Sequence, residues 1–336
     1  MIILGIESSC DETAAAVVCD GKDVRSTVVA SQVAVHHPYG GVVPELASRK
    51  HMEAIVPVVQ EAITNAGISP ENIHGVAVTQ GPGLIGSLLV GFSFAKGFAL
   101  GHGIPWVGVD HLEGHLHSVF LGDNPPPFPF AALLVSGGHT SIYHVKGPLD
   151  ITLMGQTRDD AAGEAYDKVA KMLGLGYPGG VIIDQMALCG NPKKISFPRP
   201  FLDKDKFDFS FSGIKSAVMR HLQIHPLPSD DDKKDIAAGF QAAVVDVLVH
   251  KIIHAALSTG CKHLAVVGGV AANQGLRRAV AQEAEQLGLV VHIPAIDLCG
   301  DNAAMIAAVG YHRLIAGQQS DLDADVYSRI RPDSLN

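Results

Sequence analysis

Short runs of β-branched and aliphatic residues alternate with longer, alanine-rich amphipathic segments along the whole chain. Short apolar runs separated by segments of helical period are typical of strands interleaved with helices, and not of a β-sandwich or a helical bundle. The pattern therefore predicts an α/β fold.

The opening pattern of the chain occurs a second time. Residues 2–18 predict two strands joined by a small polar loop at 7–13, and residues 130–145 repeat this plan around the loop at 136–139. Two halves that each open on a hairpin with a tight polar tip predict a duplicated domain with a cleft between the copies.

The one strongly proline-rich stretch lies at 124–129, between the two halves. Such a stretch is stiff and cannot contribute a full set of ladder hydrogen bonds, so we expect the chain to cross between domains there. We accordingly expect an N-terminal lobe over 1–123 and a C-terminal lobe over 124–301, with a C-terminal helix over 302–330 that packs back on the first lobe.

Composition is that of a well-packed protein of roughly two domains, with 336 residues, 47% of them hydrophobic and 18% charged. The five cysteines include no C-x-x-C pair, which predicts free thiols in a reducing compartment, so we expect a cytoplasmic protein. We expect neither secretion nor membrane insertion, because residues 1–7 carry no basic leader and Lys96 interrupts the apolar region at 84–100. The formal charge of −9 disfavours unaided wrapping of nucleic acid.

Two histidines four residues apart, His111 and His115, are the clearest chemical signal. On a helix both rings would lie on one face, where they could bind one metal ion, although a core or solvated role is an open alternative. The zinc-peptidase motif requires a glutamate directly after the first histidine, and here that residue is Leu112. The missing glutamate argues against peptidase chemistry, and the pair alone leaves metal binding and a structural role open.

Glycine-rich loops supply a second signal. GGVAAN at 268–273 follows a predicted strand at 263–267 and precedes a helix, where glycines allow close approach of a ligand and free amides attract phosphate. GPGLIG at 81–86 matches G-x-G-x-x-G, but no acid follows about twenty residues later to bind a ribose. We therefore expect the latter to form a sharp turn with close helix packing.

Several polar and aromatic positions remain open between a functional and a structural role. Phe207, Phe209 and Phe211 alternate with polar residues, which predicts a core strand more than a base-stacking platform, although nearby lysines and arginines leave a patch for a polyanion open. Asp301 could be a helix N-cap. Carboxylates near the glycine-rich turn at 174–180 could bind ribose hydroxyls or lie at the surface: Asp160, Glu164, Asp167 and Asp184.

Seven motifs in one order resemble a single family, and they span essentially the whole chain: GIESSCDET at 5–13, HLEGH at 111–115, LLVSGGHT at 133–140, GEAYDKVAKMLGLGYPGG at 163–180, FSFSGIKSAV at 209–218, GGVAAN at 268–273 and CGDNAAM at 299–305. The family is the universal tRNA N6-adenosine threonylcarbamoyltransferases, whose bacterial catalytic subunit was once called O-sialoglycoprotein endopeptidase. No motif position departs from the family pattern.

The resemblance implies an actin-like, sugar-kinase and Hsp70-type superfold with two ribonuclease-H-like lobes and a cleft between them. It implies that His111, His115 and Asp301 bind one divalent metal ion at that cleft, with Fe²⁺ favoured over Zn²⁺ although the donor set suits both. It also implies that one group of residues binds threonylcarbamoyl-AMP: Leu134, Val135, Ser136, Gly137, Gly138, Asp167, Gly180, Asp184 and Asn273.

The implied reaction transfers the threonylcarbamoyl group to N6 of adenosine 37 in tRNAs that read codons starting with A. For this acyl transfer we predict Asp11 as the proton acceptor, with Glu12 as the alternative from the same loop. The resemblance further implies a paralogous partner subunit, a small ATPase subunit and a separate synthase that makes the adenylate.

Three other functions remain possible on the sequence alone. A metallopeptidase would need a water-activating carboxylate beside the histidine pair, which the motif lacks. A small-molecule kinase or ATPase of the same superfold would use the phosphate-type loops but not the histidines. A non-catalytic assembly subunit is the third.

Overall fold

The computed structural model describes residues 1–329 of the chain except 202–205 and 227. The strands within these residues are β1 (Ile2–Glu7), β2 (Glu12–Cys19), β3 (Asp23–Ser31), β4 (Gly75–Gly81), β5 (Trp106–Asp110), β6 (Phe130–Val135), β7 (Thr140–Gly147), β8 (Asp150–Gln156), β9 (His263–Val267) and β10 (Val290–His292). The helices are α1 (Val33–His36), α2 (Pro44–Asn65), α3 (Ile85–His102), α4 (His111–His117), α5 (Ala162–Met172), α6 (Gly179–Ala187), α7 (Ser212–Ile224), α8 (Asp230–Thr259), α9 (Gln274–Gln286) and α10 (Ala303–Ile315).

The chain divides into two compact units. The first unit comprises Met1–Pro125, Pro148–Asp150 and the residues from Gly300 onward, and the second comprises Pro126–Gly147 and Ile151–Cys299. Gly300 and Asp301 thus lie in the first unit, although the sequence placed them at the end of the C-terminal lobe. The reason is that α10 follows them directly and packs on the first unit's sheet.

The sheet of the first unit has the order β3-β2-β1-β4-β5. Strand β1 pairs antiparallel with β2 and parallel with β4, which pairs parallel with β5. Alternate side chains of β1 enter two cores, because Leu4 and Ile6 pack with α2 and α3 while Ile3 packs with α10. Burial on both faces explains why β1 is apolar up to Glu7.

The sheet of the second unit repeats this order. It runs β8-β7-β6-β9-β10, so in both sheets the first strand lies between the second and the fourth. Strand β6 pairs antiparallel with β7 and parallel with β9. The repeated order confirms the predicted duplicated α/β fold, and both predicted hairpins are present.

Helix α8 is the central helix of the second unit. Ser229 caps its first turn by accepting a hydrogen bond from the Asp232 amide, and Gly260 ends it in the left-handed region at φ +69°. Helices α3 and α8 are long and apolar enough to cross a membrane, which is weak evidence by itself. In α8 the apolar window is 83% buried, as expected of a core helix.

The predicted C-terminal helix is shorter than expected. It ends at Ile315 instead of residue 330, which lies outside the described residues, because Gly317 adopts φ +76° and a polar run follows. Residues 318–329, which we call the C-terminal strap, form neither helix nor strand. Their backbone bonds to strands of the first unit's sheet. Lys96 of α3 donates to the carbonyl oxygens of Leu322 and Ala324 in this strap.

The phenylalanines at 207–211 form core but not a strand. Phe209 and Phe211 are fully buried, as predicted, yet Phe209 makes only an isolated bridge with Thr157. The Asp159 carboxylate accepts the amide hydrogen of Phe211, so that donor is satisfied by a side chain instead of a ladder.

Candidate functional site

Helix α4, which carries the histidine pair, begins directly after a buried strand. Asp110, the last residue of β5, caps it: its Oδ1 accepts the amides of Leu112 at 2.8 Å and Glu113 at 3.3 Å. Its Oδ2 accepts the hydroxyl of Tyr327 at 2.7 Å. The cap and the strap together fix where α4 starts.

Helix α4 approaches α10 closely at a glycine. A Cβ built on Gly114 would lie 2.7 Å from Cδ1 of Ile306, so no larger residue fits without a shift. One residue earlier, the carboxylate of Glu113 accepts from Arg313 of α10 at 2.6 Å. Glu113 therefore anchors α4 to α10, and its burial raises its pKa although the Arg313 charge opposes this. It is not the free water-activating base that a peptidase needs.

Asp301 precedes α10 and lies beside both rings. Its Oδ1 is 3.1 Å from Nε2 of His115 and 3.5 Å from Nε2 of His111. Asn302, and not Asp301, caps α10 by accepting the amide of Met305 at 3.0 Å. The structure thus brings all three predicted ligands together and removes the N-cap alternative for Asp301.

The donor atoms fit a metal ion. One atom from each of His111, His115 and Asp301 lies within 4.8 Å of the others. His115 is fully buried, and its Nε2 faces Asp301 without forming a hydrogen bond, as expected of two ligands converging on a common ion. Two imidazoles and a carboxylate, all from the first unit, could hold a divalent transition metal.

A buried glutamate that the sequence analysis did not single out contacts this group. Glu7, at the end of β1, is fully buried, and its Oε2 lies 3.0 Å from Nδ1 of His111. The same oxygen accepts from the hydroxyl of Thr79 at 2.6 Å, and Oε1 accepts from the amide of Ser9 at 2.5 Å. The sequence did offer one signal for Glu7, because an acid at the end of an otherwise apolar strand suggests a buried carboxylate with a specific partner.

The carboxylates around His111 control its charge. Burial alone would lower the pKa of His111, but Asp301 and Glu7 outweigh it and raise the pKa to about 9. Without a metal this ring is a cation at neutral pH. A histidine binds a metal as neutral imidazole, so a metal that binds His111 has to displace this proton.

The two proton-acceptor candidates are adjacent: Asp11 is the last residue of the turn between β1 and β2, and Glu12 is the first residue of β2. Asp11 is buried, and its carbonyl oxygen accepts from the amide of Gln32. Burial raises the pKa of Glu12 to about 9, with the charges of Asp301 and Asp11 adding to the effect. A cation bound at Asp301 would offset the contribution of the Asp301 charge to the raised pKa of Glu12, but not the larger contribution of burial. Glu12 is therefore protonated at neutral pH and is the weaker base candidate.

The second unit contains a cavity of about 520 Å³. Five of the nine predicted ligand-binding residues line it: Gly137, Asp167, Gly180, Asp184 and Asn273. The other four, Leu134, Val135, Ser136 and Gly138, are not among its lining residues. Leu134 and Val135 are fully buried in β6, and Ser136 closes the turn by accepting from the amide of His139.

The polar groups of the cavity are held by hydrogen bonds. Asp184 accepts from the side chain of Gln241 and from the amide of Gln274, both at 3.0 Å. Gln241 in turn accepts from Asn273, which caps α9. Asp167 accepts from the amide of Gly179 at 2.8 Å. Gln241 was not predicted from the sequence because its partners, Asp184 and Asn273, lie far from it along the chain.

Two glycines allow the cavity loops to approach each other. A Cβ on Gly163 would lie 2.6 Å from the carbonyl oxygen of Ser136, and one on Gly268 would lie 2.5 Å from that of Val135. Gly268 also has φ +92°, which disfavours other residues. Three exposed apolar side chains complete the lining: Val181, Leu188 and Ile296.

Asp160 and Glu164 are engaged elsewhere. Asp160 binds Lys168 at 2.8 Å and Lys215 at 2.6 Å, and Glu164 binds Lys168 at 2.8 Å. Neither lines the cavity. Lys194 and Arg199 also pair with acids, Asp235 and Asp246, which weakens the patch considered for a polyanion.

Comparisons with solved structures agree with the fold. The chain matches component A of (R)-2-hydroxyglutaryl-CoA dehydratase from Acidaminococcus fermentans with a TM-score of 0.57 and 18% identity, covering 94% of this chain and 99% of the other. It matches full-length HypF in a phosphate- and nucleotide-bound form with a TM-score of 0.65 and 12% identity, covering 95% of this chain and 47% of the other. At these identities the likeness shows the fold alone, an actin-like α/β architecture.

Comparisons of sequence identify the family. The model of the tRNA N6-adenosine threonylcarbamoyltransferases matches residues 23–308. A relative of that name from Desulforapulum autotrophicum is 62% identical over 98% of this chain and 99% of its own. Another, from Geobacter sp. strain M21, is 55% identical over 97% of this chain and 95% of its own. The chain therefore belongs to the tRNA N6-adenosine threonylcarbamoyltransferase family and is a tRNA-modifying transferase.

Proposed function

We propose that this enzyme transfers the threonylcarbamoyl group of threonylcarbamoyl-AMP to N6 of adenosine 37 in tRNAs reading codons that start with A. The observation that carries the proposal is the convergence of His111, His115 and Asp301 in a chain that matches the family over residues 23–308. The reaction is acyl transfer to a weak nitrogen nucleophile, which needs a bound acyl donor, a proton acceptor and stabilisation of developing negative charge.

The adenylate, in our proposal, occupies the cavity of the second unit. Asp167 and Asp184 offer acceptors for ribose hydroxyls, and the exposed Val181, Leu188 and Ile296 offer an apolar surface for the adenine ring. The amides near Gly137 can meet phosphate or carbamoyl oxygens. Leu134, Val135, Ser136 and Gly138 would contribute through their backbone or by holding this turn.

The metal, in our proposal, is held by His111, His115 and Asp301. When bound, it supplies Lewis-acid stabilisation of negative charge on ligand oxygens. Two histidines and one carboxylate with open positions suit Fe²⁺, which we favour over Zn²⁺. Elemental analysis of protein purified without added metal tests this: one Fe per chain is expected, and one Zn per chain would overturn the preference.

Asp11 is our proposed proton acceptor. It accepts the proton that the adenosine amine loses as the new C–N bond forms, and AMP leaves with the bonding electrons. The raised pKa of Glu12 supports Asp11 over its neighbour, because a protonated carboxyl group cannot act as the base. Asp11→Asn is expected to abolish transfer while adenylate binding, measured by calorimetry, stays unchanged.

A reconstituted assay tests the function. The chain, with a paralogous partner and a small ATPase subunit, is given threonylcarbamoyl-AMP made by a separate synthase and an unmodified tRNA with adenosine 37, and digested nucleosides are analysed by mass spectrometry. Modified nucleoside is expected with wild type and not with Asp301→Ala. Equal product from both would contradict the proposed metal role.

We also propose that the enzyme works in the cytoplasm, where its tRNA substrate is found.

A further inference from the structure

Packing of the first unit does not by itself explain why residue 7 carries a carboxylate. It is the one charged residue of β1, it is fully buried, and it lies at the strand end nearest α4. Burying a carboxylate costs free energy unless it is paired and hydrogen-bonded, so the partners of a buried carboxylate indicate its role.

The contacts of Glu7 indicate what that reason is. An ionised carboxylate only accepts hydrogen bonds, so the contact of 3.0 Å between its Oε2 and Nδ1 of His111 requires the hydrogen to be on Nδ1. Nε2 of the neutral ring then keeps its lone pair. Nε2 is the atom that faces Asp301 at 3.5 Å.

Glu7 is itself fixed by two donors. Thr79 of β4 holds Oε2 at 2.6 Å, and the amide of Ser9 holds Oε1 at 2.5 Å. Because both donors come from the sheet or the adjoining turn, the carboxylate is fixed independently of α4. It can therefore orient the ring instead of following it.

The other histidine of the pair has no equivalent partner. Within the part of the chain that the structure describes, Nδ1 of His115 is buried without a hydrogen bond. Orientation by a fixed carboxylate is thus specific to His111.

We propose that Glu7 is the positioning residue of the metal centre: it holds His111 in the tautomer and ring orientation that present Nε2 to the ion. This inference rests on the proposed metal site and adds a residue to it. Partners of this kind change metal affinity by about 10- to 100-fold when removed.

Direct metal binding tests the proposal in the full-length chain. Zn²⁺ affinity is measured by competition with a chromophoric chelator for wild type, Glu7→Ala, Glu7→Gln and Thr79→Val. We expect Glu7→Ala to weaken binding by at least about tenfold. Glu7→Gln keeps an amide oxygen that can accept from His111, and Thr79→Val keeps the Glu7 charge but removes a hydrogen bond that fixes it. We expect the Zn²⁺ affinity of both variants to lie between those of Glu7→Ala and wild type.

A second measurement separates positioning from simple loss of negative charge. In Co²⁺-substituted protein, the N–H proton of a coordinated imidazole gives a paramagnetically shifted resonance. We expect the His111 Nδ1–H resonance to be protected from solvent exchange in wild type and to broaden or vanish in Glu7→Ala and Thr79→Val. A role in charge alone would leave this resonance unchanged in Thr79→Val.

Asp235→Asn is the matched control for removal of a buried carboxylate. Asp235 binds Lys194 in the second unit, so its loss is expected to lower the melting temperature without changing Zn²⁺ affinity. If wild type binds Zn²⁺ and Glu7→Ala binds it within twofold, the inference is overturned while the metal site stands. If wild type binds neither ion, the proposed site and the inference both fail. Should Glu7→Ala not fold, Glu7→Gln and Thr79→Val decide the question.

Discussion

His117 is buried in a form that resists protonation. Its Nδ1 donates to the carbonyl oxygen of Glu113 at 2.9 Å, and burial lowers its pKa to about 4. In the unfolded chain a histidine has a pKa of about 6.5, so the unfolded state takes up the proton first as the pH falls. Stability that is present above pH 6.5 is therefore lost between about pH 6.5 and 4.

We predict that His117 contributes about 3 kcal/mol to the acid destabilisation of the first unit over this range. His117→Asn keeps a donor near Nδ1 but does not titrate. Its free energy of unfolding, measured with urea at pH 7 and pH 4.5, should fall by less than that of wild type. Equal falls in both proteins would contradict the prediction.

The ion pair of Glu113 and Arg313 gives a second prediction for single residues. Arg313→Met leaves the Glu113 carboxylate buried without its cation, since only 9% of that side chain is exposed. We expect a loss of about 2 kcal/mol in the free energy of unfolding. Adding Glu113→Gln should recover part of it, because the uncompensated charge is then gone. A double variant no more stable than Arg313→Met would argue against this account.

At the scale of residues, the sequence predicted which residues the structure brings together where those residues form motifs. His111 and His115 carry helical spacing, and the family motifs added Asp301. Glu7 and Gln241 were missed because their partners, His111 and Asn273, lie far away in the sequence. The partnership exists only once strands and helices have packed, so no local pattern reveals it.

At the scale of elements, the approach of α4 to α10 brings the predicted ligands together. Gly114→Ala would place a methyl group 2.7 Å from Cδ1 of Ile306 and force the helices apart. We predict a loss of about 1–3 kcal/mol in stability together with weaker metal binding, because His115 moves away from Asp301.

Two further variants test this reason. Ile306→Val removes the clashing atom, so the double variant should regain part of both losses. Gly97→Ala, at a helical glycine with no atom within 4 Å, should instead stabilise the protein slightly. If Gly114→Ala behaved like Gly97→Ala, the helix contact would not be limiting.

The spacing of hydrophobic residues predicted most helices and strands, because the burial of those residues also determines where the helices and strands form. The strand at 263–267 and the helix start at Gln274 were predicted correctly, since a β-branched run ends in glycines and an asparagine cap. The strand predicted at 207–211 was wrong, because Phe209 forms only an isolated bridge with Thr157 and the amide of Phe211 bonds to the Asp159 side chain. The helix predicted to residue 330 was wrong because Gly317 ends it.

At the scale of the whole molecule, the C-terminal strap holds parts of the first unit that are distant in sequence. Gln80 donates to the carbonyl oxygen of Asp325, Ser320 donates to that of Trp106, and Tyr327 donates to Asp110. We predict that removal of residues 318–336 speeds amide exchange in β5 and α4 but not in β6 and β9.

Tyr327→Phe is the matched variant, since it removes only the hydroxyl bonded to Asp110. Its effect on hydrogen exchange should be confined to the first turn of α4. Faster exchange across the second unit in either variant would contradict a local role for the strap.

The order of these parts along the chain has a consequence for synthesis on the ribosome. The histidines are translated before the second unit, whereas Asp301, α10 and Tyr327 are translated after it. A nascent polypeptide can form the second unit's sheet before Asp301, the third proposed ligand, and Tyr327, which bonds the cap of α4, have been made. The proposed metal-binding group is therefore completed only after the second unit has been translated, so translation products that stop within the second unit would lack it.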